Sequence, residues 1–228
     1  MSDNKLFPAS VIGSMPRSDF VKDLVLGDTE ISPEEYKKRM DAAVRYIVAV
    51  QEQAGVDVLN DGEWRRKSYI GVIAELAHGF ELSRTADGRP WTVVTGKLES
   101  KNPGFISSEV EFVRAITTRQ IKATLPSPAL LGERMWDPEL SAAAYPTRED
   151  FARACVPILR REIKLLKEAG ASIIQIDDPH LCLFVDPKVR SQHDDPDRAA
   201  DFAADVVNEL IDGFEGLKFA EHLCRRAG

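Results

Sequence analysis

A histidine and a cysteine two positions apart, His222 and Cys224, are the side chains of this sequence best suited to binding a metal ion. They close the apolar run LKFAEHLC, which has the character of a β-strand, and residues two apart on a strand point to the same side. Imidazole nitrogen and thiolate sulfur are both zinc ligands. A buried histidine beside a small apolar cysteine gives the same pattern, so the spacing alone leaves both interpretations open.

Acidic residues follow two other apolar runs. Glu63 comes at the end of VDVLNDGE, and Asp177 and Asp178 follow SIIQI. A carboxylate at the end of a buried strand must be solvated, paired or used. Asp178 precedes a proline and suits a turn. Asp177 fits a turn less well. Glu63 is a candidate for binding a substrate ammonium group, although it could equally pair with the arginines that follow it.

A third candidate lies near the N-terminus, where the run FPASVIGS ends in Gly13 and Ser14. A glycine permits a tight turn that exposes backbone N–H groups, and with the serine hydroxyl these could bind a substrate carboxylate. A plain turn would also explain the glycine. Each candidate is weak by itself, and the argument for a site depends on their meeting in the fold.

The elements that would position these residues alternate between strands and helices. A capping pattern at Ser32, with proline next and glutamate three positions on, predicts a helix that runs to Gly55. Further helices are predicted over 148–169 and 196–211. The strands are predicted at 7–14, 56–63, 120–128, 172–179 and 217–224. Between the second and third strands lies an excursion, read as a helix over 68–77, a strand over 91–96 and a helix over 109–116.

This alternation predicts an α/β fold with a parallel sheet, either doubly wound or a (β/α)8 barrel. All the candidate residues fall at the carboxyl ends of strands, which converge on one mouth in a barrel but spread along an edge in an open sheet. No glycine-rich dinucleotide motif follows any strand. The prediction is therefore a partial TIM-type barrel, with about five of the eight parallel strands and an insertion between strands two and three.

Composition narrows the function classes. The net charge of -7 argues against binding to nucleic acid or to anionic membranes. Neither a transmembrane run nor a secretory signal is visible. The three cysteines, Cys155, Cys182 and Cys224, are odd in number and widely spaced, which is typical of a reducing, cytoplasmic compartment rather than of a disulfide framework.

Taken together, these stretches resemble the catalytic barrel of the cobalamin-independent methionine synthases, in order and over nearly the whole chain. Ile12, Gly13 and Ser14 are similar to that family's homocysteine-binding loop. The sequence DGE ending in Glu63 resembles the motif whose glutamate binds the homocysteine amine. Asp177 in QIDDP is similar to the family's second amine-binding acid.

The resemblance also extends to the metal, because His222 and Cys224 match the first two of the family's zinc ligands. It implies zinc-assisted methyl transfer from a methyltetrahydrofolate, polyglutamylated, to the thiol of homocysteine, giving methionine. Two features depart from the family. Leu183 stands where well-known members have a further acid, and the folate-stacking tryptophan has no clear counterpart apart from the candidate Trp136.

The family's other two zinc ligands and its proton-donating histidine belong to later barrel strands, so they are expected beyond residue 228. The chain is therefore read as a single catalytic-barrel domain, 1–228, incomplete at its C-terminus and inactive alone, with open sheet edges that could self-associate. Two alternatives remain. One is a zinc-dependent thiol transferase of the epoxyalkane–coenzyme M type, which would need a cation such as Arg17 for the sulfonate. The other is a degenerate, non-catalytic barrel fragment.

Overall fold

The computed structural model describes residues 5–27, 30–84 and 88–224. Strands and helices alternate along the chain. The strands are β1 (Val58–Leu59), β2 (Ala77–Arg84), β3 (Pro90–Ser100), β4 (Gln120–Pro126), β5 (Ile173–Asp177) and β6 (Lys218–His222). The helices are α1 (Asp19–Leu26), α2 (Pro33–Gln53), α3 (Ile73–Leu76), α4 (Phe105–Arg114), α5 (Pro128–Met135), α6 (Arg148–Glu168), α7 (Pro187–Arg190) and α8 (Pro196–Ile211), with a 3₁₀ turn at Leu181–Val185.

The central sheet is parallel, and its strands lie side by side in the order β1-β4-β5-β6. On the outer side of β1, Ser10 forms a single parallel bridge with Val58. Each strand therefore neighbours the one that precedes it in this sheet, and the order never reverses. A doubly wound sheet has such a reversal, whereas a barrel does not. The arrangement confirms the prediction of a partial TIM-type barrel.

The first predicted strand is much shorter than expected, because only Ser10 of residues 7–14 pairs with the sheet. The carboxylate of Asp57 accepts the N–H of Ala9 at 2.6 Å, and the Ala9 carbonyl accepts the N–H groups of Asp57 and Val58. These bonds replace a regular ladder. Leu6, Phe7 and Ile12 are exposed in this segment. Self-association through sheet edges stays a prediction, as does the single-domain organisation.

Alternation along the strands decides which residues face the helices and which face the inside of the sheet. Ile121 and Leu125 of β4, with Ile174 and Ile176 of β5, belong to the hydrophobic core formed with the helices. Lys122, Thr124 and Gln175 point the other way, since successive side chains on a strand alternate. The opposite face of these strands therefore carries polar side chains, which is unusual for a buried parallel sheet.

Two long helices begin where the sequence places them. The hydroxyl of Ser32 accepts the N–H of Glu35 at 3.2 Å and caps α2. Thr147 and Asp150 form a reciprocal capping box at the start of α6. The buried positions of α2 and α6, among them Met40 and Leu159, lie on single stripes and pack into the core. The predicted helices over 148–169 and 196–211 are confirmed.

The excursion between β1 and β4 differs from its prediction. The helix expected over 68–77 is wrong, because only Ile73–Leu76 is helical and the chain then continues as β2. β2 pairs antiparallel with β3, which contains and extends the strand predicted over 91–96. The residues of 77–84 fit strand geometry because β3, the next strand along the chain, pairs with them as a hairpin. Hairpin and sheet share one core, to which Val94 of β3 contributes.

The last helix of the excursion, α4, begins earlier than predicted, at Phe105, and its N-cap Gly104 has no side chain to satisfy the first N–H groups. The buried carboxylate of Glu162, on α6, does this instead. It accepts the N–H groups of Gly104, Ile106 and Ser107 at 2.7 to 2.8 Å. The cap therefore comes from a helix 50 residues or more away in sequence. No helix among the described residues is long and apolar enough to cross a bilayer.

We expect Glu162→Gln to destabilise the protein by about 2–3 kcal/mol, because an amide can accept only through its oxygen, whereas the carboxylate satisfies three donors. Urea unfolding monitored by circular dichroism measures this loss. The matched control is Glu168→Gln, at an exposed position of the same helix. Equal stability of the two variants would contradict the capping role.

Candidate functional site

The candidate residues collect at the carboxyl ends of the parallel strands. Gly13, Ser14 and Glu63 meet in one cluster in front of β1 and β4. Asp177 ends β5, and its partner in the register of β6 is His222. These residues therefore lie on one side of the sheet, as the sequence predicts from all the motifs together and from no single one.

Glu63 sits in an unusual backbone conformation. Its φ of 56° lies in the left-handed region, which non-glycine residues rarely adopt, and Gly62 before it has φ 70°. Two side chains from the same turn hold this geometry. Asn60 accepts the N–H of Gly62 and Asp61 accepts the N–H of Glu63, each at 2.9 Å. Backbone strain of this kind persists where the surroundings fix it, and it clusters at functional sites.

The carboxylate of Glu63 is 3 % exposed and is held by donors from two other segments. The hydroxyl of Ser14 donates to Oε2, and Thr124 Oγ1 on β4 donates to Oε1 at 2.6 Å. The guanidinium of Arg66 lies 4.0 Å from Oε1. Burying a carboxylate is costly unless it is hydrogen-bonded and charge-compensated. The two hydroxyl groups supply the hydrogen bonds, and Arg66 offsets part of the charge.

The loop before α1 is shaped around the same carboxylate. A Cβ atom at Gly13 would lie 2.8 Å from Glu63 Oε1, so only glycine fits without displacing the acid. Asn60 Nδ2 donates to the Gly13 carbonyl at 3.2 Å, and the Met15 N–H donates to the Gly62 carbonyl at 3.0 Å. The side chain of Ile12 is 62 % exposed, so any contact it makes with a ligand would be at the mouth.

Arg66 is the structural centre of the buried charges. It forms a two-pronged ion pair with Glu109 of α4, with a shortest distance of 2.7 Å, and donates to the Thr124 carbonyl at 2.9 Å. Burial raises the pKa of Asp61, an effect that Arg66 opposes, and Asp61 Oδ2 has no hydrogen-bond partner within the described residues. Neither Arg66 nor Glu109 was singled out as a contributor to the site from the sequence.

Asp177 is 7 % exposed, and burial raises its pKa to about 7, with the Glu63 carboxylate adding to the effect. Gln175 Nε2 donates to Asp177 Oδ1 at 2.7 Å, which opposes the rise. Lys122 on β4 in turn donates to Gln175 Oε1 at 2.7 Å. Sequence reasoning missed Thr124, Lys122 and Gln175. Their signal was the interruption of apolar strands by polar residues at every second position.

Asp178 has a structural role, in line with its place before a proline. Its Oδ1 accepts the N–H groups of His180 and Leu181, and its Oδ2 accepts the hydroxyl of Ser127, which caps α5. The carboxylate therefore ties the end of β5 to the start of α5. These contacts give Asp178 a structural role, in contrast to the ammonium-binding role considered for its neighbour Asp177.

His222 is the last residue of β6, and Cys224 lies two positions beyond it, so the strand predicted over 217–224 is shorter than expected. Both residues are half-buried, and Cys182 Sγ lies 3.4 Å from the Cys224 carbonyl oxygen. The donor types suit zinc, but no group of three histidine, cysteine or acidic side chains that could hold a metal occurs in the part of the chain described. Catalytic zinc usually has three protein ligands. The described residues thus fit part of a zinc site and do not complete one.

A partial α/β barrel with a buried acidic pocket at the carboxyl ends of its strands is the framework of a barrel enzyme. The family model described as "Cobalamin-independent synthase, Catalytic domain" matches residues 7–224. The chain belongs to this family, whose curated relatives are named methionine synthases and are methyltransferases. The family resemblance seen in the sequence is confirmed.

Two curated methionine synthases illustrate the similarity. The chain is 28% identical over 235 residues to that of Sulfolobus acidocaldarius and 29% identical over 234 residues to that of Sulfurisphaera tokodaii. Each alignment covers 98% of this chain and 63% of the relative. The chain therefore spans less than two thirds of the length of these relatives.

Solved structures show the same relationship. A B12-independent methionine synthase from Shewanella sp. W3-18-1, in complex with selenomethionine, superposes with a TM-score of 0.76 at 25% identity, covering 95% of this chain and 61% of that one. A putative vitamin-B12 independent methionine synthase from Listeria monocytogenes gives a TM-score of 0.72 at 26% identity, covering 96% and 65%.

The raised pKa of Asp177 predicts a pH dependence of stability for the metal-free chain. A buried carboxyl group with a pKa of about 7, against its usual 3.8, holds its proton longer in the folded than in the unfolded state. Its contribution to stability is therefore most favourable below about pH 4 and is lost as the pH rises towards 7, by at most about 4 kcal/mol.

We expect Asp177→Asn to remove this contribution, so that the variant gains stability over the unmodified chain at pH 8 but not at pH 4. Denaturant unfolding at several pH values, with a chelator present, measures it. Asp194→Asn, at an exposed position, is the control. An identical slope for Asp177→Asn and the unmodified chain would show that this carboxyl group is not perturbed.

Proposed function

We propose that this chain carries the amino-acid-binding part of an enzyme that transfers a methyl group from methyltetrahydrofolate to the homocysteine thiol, giving methionine. The observation that carries the proposal is the buried carboxylate of Glu63, which is held in a left-handed turn and hydrogen-bonded to Ser14. Gly13 packs so closely against this carboxylate that a side chain there would displace it. Membership of the synthase family supports the reaction class.

The balance of buried charges favours a cationic group on the ligand. Four buried carboxyl groups surround two buried cations, Arg66 and Lys122; the carboxyl groups are those of Asp61, Glu63, Glu109 and Asp177. One acid, Glu109, is matched by Arg66. A substrate ammonium group would compensate the remaining negative charge, with Glu63 and Asp177 as its partners.

The carboxylate of the amino acid needs donors instead, and the loop of Ile12, Gly13 and Ser14 can provide them. It lies directly against Glu63, so the two ends of an amino acid would be bound by adjacent groups. Ile12 and Ser14 are exposed, so a ligand can reach this loop from the mouth. Such fixed positioning reduces the entropic cost of bringing the thiol and methyl donor together.

We propose that His222 and Cys224 provide two of the ligands of a zinc ion, which when bound would stabilise the homocysteine thiolate at neutral pH. Their position supports this role, because His222 neighbours Asp177 across the β5–β6 pair. The free cysteines of the described chain suit a reducing compartment, and we propose a cytoplasmic location.

The folate part of the proposal has less support from the described residues. Trp136, the candidate for stacking on the pterin, donates its indole N–H to the Tyr145 carbonyl at 2.8 Å and packs against the core. It is held as a structural residue, so the methyl donor and its polyglutamate tail are proposed from family membership alone.

The coenzyme M alternative needs a cation for the sulfonate. Arg17 was the candidate, but its guanidinium donates to the backbone carbonyls of Glu63 at 2.7 Å and of Arg66. It holds the turn that carries Glu63. Together with the buried acids, this arrangement favours an amino-acid thiol over a sulfonate thiol.

We expect Glu63→Gln to weaken binding of L-homocysteine and L-methionine strongly, because losing the charged partner of a buried ammonium group typically costs about 3–5 kcal/mol. Isothermal titration calorimetry on the purified chain measures the change. Glu34→Gln, an exposed substitution of the same type on α2, is the control. Unchanged affinity in Glu63→Gln would reject the proposed amine-binding role.

We also propose that the 228-residue chain alone is inactive and holds zinc loosely, because two protein ligands leave most of the zinc coordination to water. The measurement is methyl transfer to homocysteine with zinc present, together with metal content after dialysis. His222→Ala should lower the residual zinc, whereas His78→Ala, at an exposed position on β2, should not. Turnover, or one tightly held zinc per chain, would contradict this proposal.

A further inference from the structure

Lys122 is a buried cation to which the proposed reaction assigns no role. Lys122 is 7 % exposed. Its side chain extends from β4 on the same side as that of Thr124, towards the inside of the sheet. The ammonium group donates to the Val11 carbonyl at 2.6 Å and to Gln175 Oε1 at 2.7 Å. Its two partners therefore come from the segment before β1 and from β5.

The contact with Lys122 decides which way the Gln175 amide points. A lysine ammonium group has donors and no acceptor, so the amide must turn its oxygen towards it. The amide nitrogen then faces Asp177, and Nε2 donates to Oδ1 at 2.7 Å. A continuous series of hydrogen bonds thus joins the Val11 carbonyl, at the start of the substrate loop, to the carboxylate of Asp177.

We propose that Lys122 is a positioning residue that couples the loop of residues 11–14 to Asp177, so that the carboxylate and the ammonium group of the amino acid are recognised together. The proposal rests on the proposed function, in that it takes an amino acid as the ligand. Lys122 itself need not touch the ligand; it acts through Val11 on one side and through Gln175 on the other.

The charge environment explains why a lysine is retained at this buried position. Burial lowers the pKa of Lys122, while the carboxylates of Asp177 and Glu63 oppose this. An apolar side chain of the same length would leave the Val11 carbonyl and Gln175 Oε1 without their donor. The Gln175 amide would then be free to rotate and could present its oxygen to Asp177, which would repel the carboxylate instead of holding it.

The test uses three probes that need no zinc–thiolate bond: L-methionine, its deaminated analogue and its decarboxylated analogue. Each is titrated calorimetrically into the unmodified chain and into Lys122→Met, Gln175→Leu and the control Lys164→Met, an exposed lysine of α6. Hydrogen exchange of the Met15 amide, which donates to the Gly62 carbonyl, reports on the loop without any ligand.

We expect the unmodified chain and the control to bind methionine at least about tenfold more tightly than either analogue, since each analogue lacks a charged hydrogen-bonding group. In Lys122→Met both preferences should fall to within about threefold, and the Met15 amide should exchange faster. In Gln175→Leu only the preference over the deaminated analogue should fall, because the contact between Lys122 and Val11 remains.

Three results would overturn the coupling role while leaving the proposed function intact: unchanged preferences in Lys122→Met, an equal loss of affinity for all three probes, or unchanged Met15 exchange. Failure of the unmodified chain to bind methionine is a different result. It would reject the proposed function, and with it the amino-acid ligand on which the role of Lys122 depends.

Discussion

The site depends on one constraint, the burial of the Glu63 carboxylate. Glu63 is 3 % exposed, so its carboxylate requires hydrogen-bond donors and a compensating charge, and these come from different segments of the chain. The loop before α1 contributes the Ser14 hydroxyl, β4 contributes Thr124, and the turn itself contributes Arg66. Satisfying one acid therefore brings three separate parts of the chain together, while Asn60 and Asp61 of the turn hold the left-handed backbone.

The segment between β1 and β4 also helps to hold the Glu63 carboxylate in place. Its last helix, α4, supplies Glu109, which pairs with Arg66 and so keeps that guanidinium beside Glu63. Glu162 of α6 in turn satisfies the open N-terminus of α4. Glu63 is thus connected to α6 through one buried ion pair, Arg66 with Glu109, and through the hydrogen bonds that Glu162 accepts from the start of α4.

The inner face of the sheet shows how a barrel scaffold accommodates polar groups. β4 and β5 present apolar side chains to the helices and polar ones to the interior, where Lys122, Gln175 and Asp177 satisfy one another. Burial strengthens each of these hydrogen bonds relative to the same bond at a surface. The same burial raises the pKa of Asp177 to about 7. Near neutral pH a charge placed beside this carboxyl group would therefore change its protonation state.

The sequence by itself determined the fold class, the family and the positions of Glu63, Asp177, His222 and Cys224 at strand ends, because these follow from local periodicity and motif order. It failed over 68–77, where only Ile73–Leu76 is helical and Ala77 begins a strand that hydrogen bonding to β3, rather than local periodicity, specifies. It also could not identify Arg66, Lys122 or Thr124 as parts of the site. Their roles arise from contacts across 43 to 111 positions of the chain, from Arg66 with Glu109 to Lys122 with Val11, and such pairings exist only once the sheet has formed.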